Sequence, residues 1–192
     1  MSMFHFYALL ARMRHIGRWG LMHNTFPENV AEHSLMTAVL AHALALIRRD
    51  VFGISCDPEA CATAALYHDA SEIMTGDLPT PVKYWSSSIR DAYREIELHS
   101  VDKLLGFLPD ELRPAYAGSL CPEGAATREI VHAADKLSAY LKSAAELRAG
   151  NTEFESAARQ LLQKLKELNM MEIDYFLTNF YPSFALTLDE LQ

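Results

Sequence analysis

The sequence predicts an all-α fold, and three observations support this prediction. Apolar residues recur at helical spacing along most of the 192 residues. No stretch shows the sustained alternation of apolar and polar residues that is typical of a half-buried strand. Capping residues, prolines and glycines divide the apolar stretches at the places where helices are expected to begin and end.

The first long helix is predicted to begin at Asn29. Asn29-Val-Ala-Glu32 has the form of a capping box, in which an N-cap side chain is followed three residues later by a carboxylate. The uncharged apolar run at residues 35–47 has 13 residues, fewer than the roughly 20 that a bilayer-spanning helix needs. We therefore interpret it as a buried helix of a protein that does not enter a membrane, with His33 near its first turn.

A second helix is predicted to begin at Asp57-Pro58, because the missing N–H of proline has no helical partner in a first turn. We expect this helix to end at Gly76. Residues 75–81 hold two prolines and a glycine, which predict a fixed, irregular loop. Loops of this kind often carry functional residues.

Four more helices are predicted by apolar residues at helical spacing. They lie at residues 89–104, 130–141, 154–168 and 173–180, and Pro182 is expected to stop the last of them. No long linker, internal repeat or low-complexity tract separates these elements. Residues 1–192 are therefore interpreted as a single domain.

The net charge, the N-terminal residues and the cysteine content indicate which partners and which cellular compartment the protein is expected to have. A formal net charge of −8 and a pI near 5.4 argue against long nucleic acid as a partner. The N-terminal residues place their basic side chains after a short apolar run, which does not fit a secretory signal, so a cytoplasmic protein is expected. The three cysteines are an odd number and fit reduced thiols better than a disulfide framework.

The common catalytic motifs are missing, which leaves histidines and carboxylates as candidates. The sequence contains neither G-x-G-x-x-G nor the phosphate-binding P-loop, and it lacks G-x-S-x-G and H-E-x-x-H. His68, Asp69 and Glu72 instead enter an apolar helix together, at spacings that allow all three to share one side. The alternative is that His68 is a core histidine and both carboxylates point to solvent.

Two further residues of the right kind lie on other predicted helices. His33 begins an apolar helix, and Asp135 is in register with buried apolar residues. Because a buried carboxylate needs a cation, Asp135 is expected to pair with Lys136, His132 or a metal ion. His33, His68-Asp69 and Asp135 would then come from three helices, as a metal site in a bundle core requires.

This pattern resembles the HD-domain metal-dependent phosphohydrolases. Several motifs are similar to those of the bacterial 5'-deoxynucleotidases in particular: Arg18-Trp19, Glu28-Asn-Val-Ala-Glu-His-Ser34, Tyr67-His-Asp-Ala-Ser-Glu72, Gly76-Asp-Leu-Pro-Thr-Pro-Val-Lys83 and Ala134-Asp135. The motifs span residues 18–135, and residues 153–192 add nothing diagnostic. The resemblance implies an HD-domain helical bundle with its metal site in the core.

The resemblance implies a ligand set for one divalent metal ion. His33, His68, Asp69 and Asp135 would hold the ion with two imidazoles and two carboxylates. A mixed nitrogen and oxygen set suits Co, Mn, Zn or Fe better than Ca. A bound cation of this kind lowers the pKa of its water from 15.7 to about 7, which produces a nucleophile at neutral pH.

The resemblance also implies catalytic groups beside the metal. Glu72 would act as general acid or base, or alternatively would orient a histidine ligand. Asp77 would protonate the leaving 5'-oxygen or hold the sugar, and the sequence does not separate these roles. Arg18 would take part in catalysis by gripping the phosphate with its planar guanidinium.

The remaining implied residues would bind the nucleoside. Trp19 would pack against sugar or base, although a partly buried core aromatic is an equal alternative. Leu78, Pro79 and Thr80 would wall the sugar pocket and exclude a ribose 2'-hydroxyl. His33 would lie beside the substrate as well as the metal.

The expected activity is hydrolysis of deoxyribonucleoside 5'-monophosphates to deoxynucleoside and phosphate. Another HD chemistry, deoxynucleoside triphosphohydrolase or cyclic-nucleotide phosphodiesterase action, is an alternative. A non-catalytic helical module that binds metal or nucleotide is a second alternative. The family resemblance further implies a homodimer.

Overall fold

The described part of the protein is entirely helical and loop structure. The computed structural model describes residues 3–83 and 85–192, with only the backbone described at Thr80. These residues contain no β-strand, which confirms the predicted all-α class. The helices are α1 (Phe6–Leu10), α2 (Val30–Leu46), α3 (Pro58–Tyr67), α4 (Glu72–Thr75), α5 (Thr80–Lys83), α6 (Ser87–Gly106), α7 (Arg113–Leu120), α8 (Ala125–Arg148), α9 (Glu155–Glu167) and α10 (Met171–Asn179).

Helix α2 begins at the predicted capping box. The side-chain oxygen of Asn29 accepts a hydrogen bond from the Glu32 N–H at 3.0 Å, and the Glu32 carboxylate accepts one from the Asn29 N–H at 3.3 Å. These bonds satisfy backbone donors that the start of a helix leaves free. The capping box therefore fixes the first turn of α2, where His33 lies.

Helices α2, α3 and α8 form the centre of the bundle, and α9 and α10 pack on it. Leu44 of α2, Ala65 of α3, and Ile130 and Leu137 of α8 are fully buried in one apolar cluster. Full burial of a leucine or isoleucine side chain contributes about 1.5–3 kcal/mol, so these contacts hold the three helices together. A smaller cluster around Phe6 joins α1 to α6.

The apolar helix extends beyond both ends of the uncharged run at residues 35–47. A π-helical turn at Ile47–Val51 extends α2, so that the whole helix covers Val30–Val51, or 22 residues. With a mean hydropathy of 1.5, it is long and apolar enough to cross a membrane by length and composition alone. The uncharged run at residues 35–47 is only part of this helix, which begins directly after the predicted cap Asn29 and continues through the charged residues 48–50. Half of this segment is buried inside the protein, as in a core helix.

The second predicted helix is broken before its expected end at Gly76. Helix α3 ends at Tyr67, and residues 68–71 form a turn before α4 begins. The Nδ1 of His68 donates a hydrogen bond to the carbonyl oxygen of Ala65 at 2.7 Å and competes with backbone N–H groups for that acceptor. Backbone bonds in the turn consequently reach three residues back instead of four.

The proline loop is also shorter than predicted. Residues 76–79 are irregular as expected, and Gly76 begins them with a φ of 71°. Thr80 then starts α5, and Pro81 lies in its first turn, where a missing N–H costs no hydrogen bond. The prediction of an irregular loop over residues 75–81 is therefore wrong at Thr75, which ends α4, and beyond Pro79.

The four later helices are confirmed, and two short helices, α1 and α7, are additional besides α5. Helices α6, α8, α9 and α10 cover the predicted apolar groups, and α10 ends at Asn179, shortly before Pro182. The sequence pattern does not predict α1 and α7. Both are short, and Pro114 in the first turn of α7 is a residue type that sequence patterns associate with loops.

Candidate metal centre

His33 projects one ring nitrogen toward a cluster of carboxylates. Its side chain is fully buried in the first turn of α2. Nδ1 is hydrogen-bonded to the Ser138 hydroxyl at 3.2 Å, across the contact between α2 and α8. Nε2 lies 3.1 Å from Oδ1 of Asp135 and 3.6 Å from Oδ2 of Asp69. The imidazole is therefore fixed on one side and faces acidic groups on the other.

His68 presents its Nε2 to the same carboxylates. Because a carbonyl oxygen only accepts, the bond from Nδ1 to Ala65 places a proton on Nδ1 and leaves the lone pair of the neutral ring on Nε2. Nε2 lies 3.1 Å from Oδ2 of Asp69 and 3.9 Å from Oδ1 of Asp135. This buried atom has no hydrogen-bond partner of acceptable geometry among the described residues.

These four side chains fit a cation. The ligand atoms of His33, His68 and Asp135 lie within 4.8 Å of one another, and Asp69 contacts both imidazoles. Two imidazole nitrogens with two carboxylates are a donor set that first-row divalent metals accept. A lone pair facing carboxylate oxygens is repelled unless a positive charge lies between them. The orphaned Nε2 of His68 therefore indicates a cation site.

The pKa values of the cluster report the same concentration of negative charge. Burial lowers the pKa of His68, but the carboxylates of Asp69 and Asp135 outweigh burial and raise it to about 9. Burial raises the pKa of Asp135, but the imidazoles of His33 and His68 hold it well below its usual range. The carboxylates thus stay ionised and attract a proton or another cation to the imidazoles.

Asp135 differs in part from the sequence prediction. Its side chain is 35 % exposed, so it is not sealed in the core. His33 is its hydrogen-bond partner, whereas the suggested partner His132 is exposed. Asp135 is therefore a partly exposed member of the cluster.

Arg18 reaches the cluster from the loop that precedes α2. The Arg18 N–H bonds the Glu28 carbonyl at 2.9 Å, beside an antiparallel bridge between Gly17 and Asn29. Nη1 of Arg18 lies 3.3 Å from Oδ2 of Asp69, and Nε lies 3.2 Å from Oε2 of Glu28. Burial lowers the pKa of Arg18, but the surrounding carboxylates outweigh it and raise the pKa. The guanidinium therefore stays charged beside the candidate metal ligands.

Trp19 takes an unusual backbone conformation next to Arg18. Its φ is 59°, a left-handed value that costs most side chains about 1–2 kcal/mol. The indole N–H donates to Oε2 of Glu28 at 2.9 Å, and the ring packs at 5.3 Å from the ring of Phe154. The ring is half-buried, so it has both the core contact and the accessible surface that the two sequence interpretations require.

Glu72 and Asp77 lie close enough to this cluster for their charges to interact with it. Glu72 is 8 % exposed, and its Oε2 is buried without a hydrogen-bond partner among the described residues. Burial and the charges of Asp69 and Asp77 raise the pKa of Glu72 to about 9. Burial also raises the pKa of Asp77, against the opposing effect of Arg18. The structure thus brings together the acidic residues that the sequence singles out.

The loop residues predicted to wall a sugar pocket are only partly described. Leu78 and Pro79 are half-buried in the irregular segment after Asp77. The side chain of Thr80 lies outside the described part of the structure, so its predicted contact remains a prediction.

Glu146 anchors the loop that carries Arg18 and Trp19, and sequence patterns do not indicate this role. Its fully buried carboxylate accepts hydrogen bonds from the N–H groups of Thr25 and Phe26 at 2.9 and 3.0 Å, and it pairs with Lys142. These partners hold the loop against α8. A glutamate in a long amphipathic helix gives no sequence signal for such a contact, because its loop partners lie about 120 residues away.

One family model and the similar proteins named here carry the same description, 5'-deoxynucleotidase. The model of the family described as "5'-deoxynucleotidase YfbR-like" matches residues 5–184. A 5'-deoxynucleotidase of Vibrio atlanticus is 48 % identical and covers all of both chains. The 5'-deoxynucleotidase YfbR of Salmonella newport is 50 % identical, over 100 % of this chain and 97 % of the relative.

Two solved structures with a similar fold are described as HD-domain phosphohydrolases. One from Listeria innocua superposes with a TM-score of 0.81 at 25 % identity, covering 96 % of this chain and 90 % of its own. A cyanophage S-2L HD phosphohydrolase, bound to dA and one catalytic Zn²⁺ ion, superposes with a TM-score of 0.65 at 23 % identity and covers 94 % and 96 %. The second likeness concerns the fold alone.

Proposed function

The chain belongs to the 5'-deoxynucleotidase YfbR-like family, and from that membership we propose how its residues hydrolyse deoxynucleoside 5'-monophosphates. The chain is a 5'-deoxynucleotidase with the HD-domain fold. The roles of its individual residues, the identity of its metal ion, its assembly and its location are proposals.

The convergence of His33, His68, Asp69 and Asp135 carries the proposed mechanism. These residues would hold one divalent ion, with Co, Mn, Zn and Fe as the candidates. The orphaned Nε2 of His68 supports this role, and so does the Zn²⁺ ion of the cyanophage protein. When bound, such an ion lowers the pKa of a water molecule to about 7 and draws negative charge from phosphoryl oxygens.

Arg18 is proposed to bind the phosphate of the substrate. Its guanidinium is only 13 % exposed and lies beside Asp69, so its charge acts close to the ligand cluster and is little screened by solvent. The planar group can bond two phosphate oxygens at once, which an ammonium group cannot do with the same geometry. This local positive charge lets a protein with a net charge of −8 accept an anionic substrate.

Glu72 is proposed as the general acid or base. The alternative, that Glu72 orients a histidine ligand, has little support, because Nδ1 of His68 already bonds Ala65 and Nδ1 of His33 already bonds Ser138. The buried Oε2 of Glu72 has no hydrogen-bond partner among the described residues, so it is available to take or deliver a proton.

Asp77 and its neighbours are proposed to bind the nucleoside. Asp77 lies near both Arg18 and the backbone N–H of Trp19, and would protonate the leaving 5'-oxygen or hold the sugar. The half-buried ring of Trp19 would contact sugar or base, and His33 would lie beside the substrate. Leu78, Pro79 and Thr80 would complete the pocket and exclude a ribose 2'-hydroxyl.

The quaternary state, domain organisation and location are also proposals. A homodimer is supported by Leu35, Met36 and Val39, which form an apolar stripe on α2 and are 60, 42 and 56 % exposed. One domain over residues 1–192 is supported by the larger apolar cluster, which joins α2, α3 and α8 and on which α9 and α10 pack. A cytoplasmic protein without membrane contact is supported by the cysteine content and by the burial of half of the apolar helix.

A substrate and metal panel tests the proposed activity. Phosphate release is measured with deoxy- and ribonucleoside 5'-monophosphates, deoxynucleoside 3'-monophosphates and deoxynucleoside triphosphates, each with Co²⁺, Mn²⁺, Mg²⁺ and Zn²⁺. We expect release from deoxynucleoside 5'-monophosphates and discrimination against the ribose form. Activity confined to triphosphates would favour the other HD chemistry. The absence of activity with every ion would favour a non-catalytic binding module.

A further inference from the structure

Glu28 contacts two residues of the site through a single oxygen atom. Its Oε2 accepts hydrogen bonds from Nε of Arg18 at 3.2 Å and from the indole N–H of Trp19 at 2.9 Å. Its side chain is 14 % exposed, so water competes little for these bonds. The Glu28 carbonyl also accepts the backbone N–H of Arg18 at 2.9 Å. The backbone and the side chain of Glu28 therefore both bond Arg18.

The guanidinium of Arg18 is fixed by carboxylates at two of its nitrogens. Glu28 bonds Nε on the inner edge of the group, and Asp69 bonds Nη1 at the outer end. A planar group that is bonded at two positions cannot rotate about its long axis without breaking one bond. Asp69 belongs to the candidate metal ligands, so Glu28 is the anchor that holds Arg18 from outside the metal cluster.

Trp19 depends on the same carboxylate for its orientation. Its backbone φ of 59° lies in the left-handed region, which persists only where surrounding contacts hold it. Asn24 donates a side-chain hydrogen bond to the Trp19 carbonyl at 3.3 Å, and Glu28 fixes the indole. The two bonds act on different parts of Trp19: Asn24 holds the backbone of the loop, whereas Glu28 holds the ring.

We propose that Glu28 is a positioning residue that orients Arg18 and Trp19 together, so that the phosphate group and the nucleoside of the substrate are held in fixed positions relative to each other. This inference rests on the proposed roles of Arg18 and Trp19. It predicts that loss of Glu28 weakens the binding of phosphate and substrate, while the metal ligands and the fold are unaffected.

A double-mutant cycle with inorganic phosphate as the probe tests the coupling to Arg18. Phosphate affinity is measured by calorimetric titration of the metal-loaded protein, for Glu28→Ala, Arg18→Ala and the double variant. We expect Glu28→Ala to weaken phosphate binding by about tenfold or more, because the guanidinium of Arg18 loses the charge-assisted bond at Nε that orients it. In the Arg18→Ala background the same change should have less than about a twofold effect. Equal effects in both backgrounds would overturn the proposal.

Substrate kinetics and a fluorescence signature distinguish positioning from general loosening of the loop. Glu28→Ala should raise KM for a deoxynucleoside 5'-monophosphate with bound metal unchanged, and Glu28→Gln, which keeps an acceptor, should lie between Glu28→Ala and the parent. In a Trp85→Phe background Trp19 is the remaining tryptophan, and its emission and acrylamide quenching should change when Glu28 is replaced. Unchanged Trp19 emission and unchanged KM would each count against the proposal.

Asn24→Ala is the matched control for the loop. It removes a bond to the backbone of Trp19 and leaves the guanidinium of Arg18 untouched. We expect it to change phosphate affinity by less than about twofold, and an effect equal to that of Glu28→Ala would mean that Glu28 only stabilises the loop. If the parent protein releases no phosphate from any deoxynucleotide, the proposed catalytic roles fail, whereas the phosphate cycle and the Trp19 emission still decide the role of Glu28.

Discussion

Nδ1 of His33 is hydrogen-bonded to the hydroxyl of Ser138 at 3.2 Å, across the contact between α2 and α8. The two residues are 105 positions apart in the chain, so only the packing of the two helices creates this bond. It fixes the imidazole with Nε2 toward Asp135. A histidine ligand generally needs such a partner to hold its tautomer and ring orientation.

Ser138→Ala is expected to weaken metal binding by about 10–100-fold, because His33 loses the partner that orients its ring. The metal dissociation constant is measured by competition with a chelator of known affinity. Ser143→Ala is the matched control, since Ser143 is also buried on α8 but bonds the carbonyl of Ala139 at 2.9 Å, away from the site. Equal losses in the two variants would assign Ser138 a role in helix packing alone.

Glu72→Gln is expected to lower kcat by about 10²–10⁴-fold, because the amide cannot exchange the proton that a general acid or base must carry. Metal content and the thermal unfolding midpoint should stay close to those of the parent, since Glu72 makes no hydrogen bond to either histidine among the described residues. Steady-state phosphate release and elemental analysis check these outcomes. A variant that turns over normally would remove Glu72 from the mechanism.

Glu146→Ala is expected to destabilise the protein by about 3–5 kcal/mol, because it leaves Lys142 as a buried, unpaired charge. The N–H groups of Thr25 and Phe26 lose their acceptor as well. Chemical denaturation measures the change in the free energy of unfolding. The double change Lys142→Met with Glu146→Ala removes both charges and should cost less than Glu146→Ala alone. A loss below about 1 kcal/mol for Glu146→Ala would show that the loop is held by other contacts.

The lowered pKa of the Glu146 carboxylate predicts that the stability of the protein depends on pH. Burial raises the pKa of Glu146, but Lys142 and the backbone N–H groups of Phe26 and Thr25 outweigh burial and hold its pKa well below the usual range. A lowered pKa stabilises the fold above the unfolded pKa of about 4.3, and this contribution is lost as the pH falls toward the folded pKa. The free energy of unfolding should therefore fall below about pH 4 more steeply in the parent than in Glu146→Gln. Parallel curves would contradict this.

Gly76→Ala is expected to destabilise the protein by about 1–3 kcal/mol and to lower activity, because φ of 71° with ψ of 169° is a conformation that essentially only glycine adopts. Crowding by other parts of the protein is not the cause, since an added Cβ would meet no atom within 4 Å beyond its own residue and its two chain neighbours. Gly118→Ala is the control: it has the same open surroundings without a positive φ, lies in α7, and should be neutral or stabilising. Thermal unfolding of both variants measures the difference.

The elements that the sequence predicts well are those that local interactions specify. The capping box at Asn29, the proline at position 58 and the apolar spacing of α6, α8, α9 and α10 all act within a few residues. The end of α3 was predicted wrongly because the side chain of His68 competes for the carbonyl of Ala65. A histidine inside an apolar helix does not reveal that competition in its sequence.

The same contrast applies to the candidate site. The sequence indicates which residue types form it, and the tertiary structure determines how they are arranged. The sequence alone supplied the candidate histidines and carboxylates, and the family resemblance added their expected roles, with His33, His68, Asp69 and Asp135 as the proposed metal ligands. Neither indicated a role for Ser138 or Glu146, and Glu28 was included only as one residue of a longer motif. These residues act through hydrogen bonds that depend on where a neighbouring helix or loop lies.

The sequence by itself therefore determined the all-α class, most of the helices, and the candidates for the metal site. The tertiary structure decided which ring nitrogens face the carboxylates, that Asp135 is accessible, and that Glu28 joins Arg18 to Trp19. The physical reason is distance along the chain. Helix signals act over three or four residues, whereas the bond between His33 and Ser138 joins residues 105 positions apart, which only the packed core brings together.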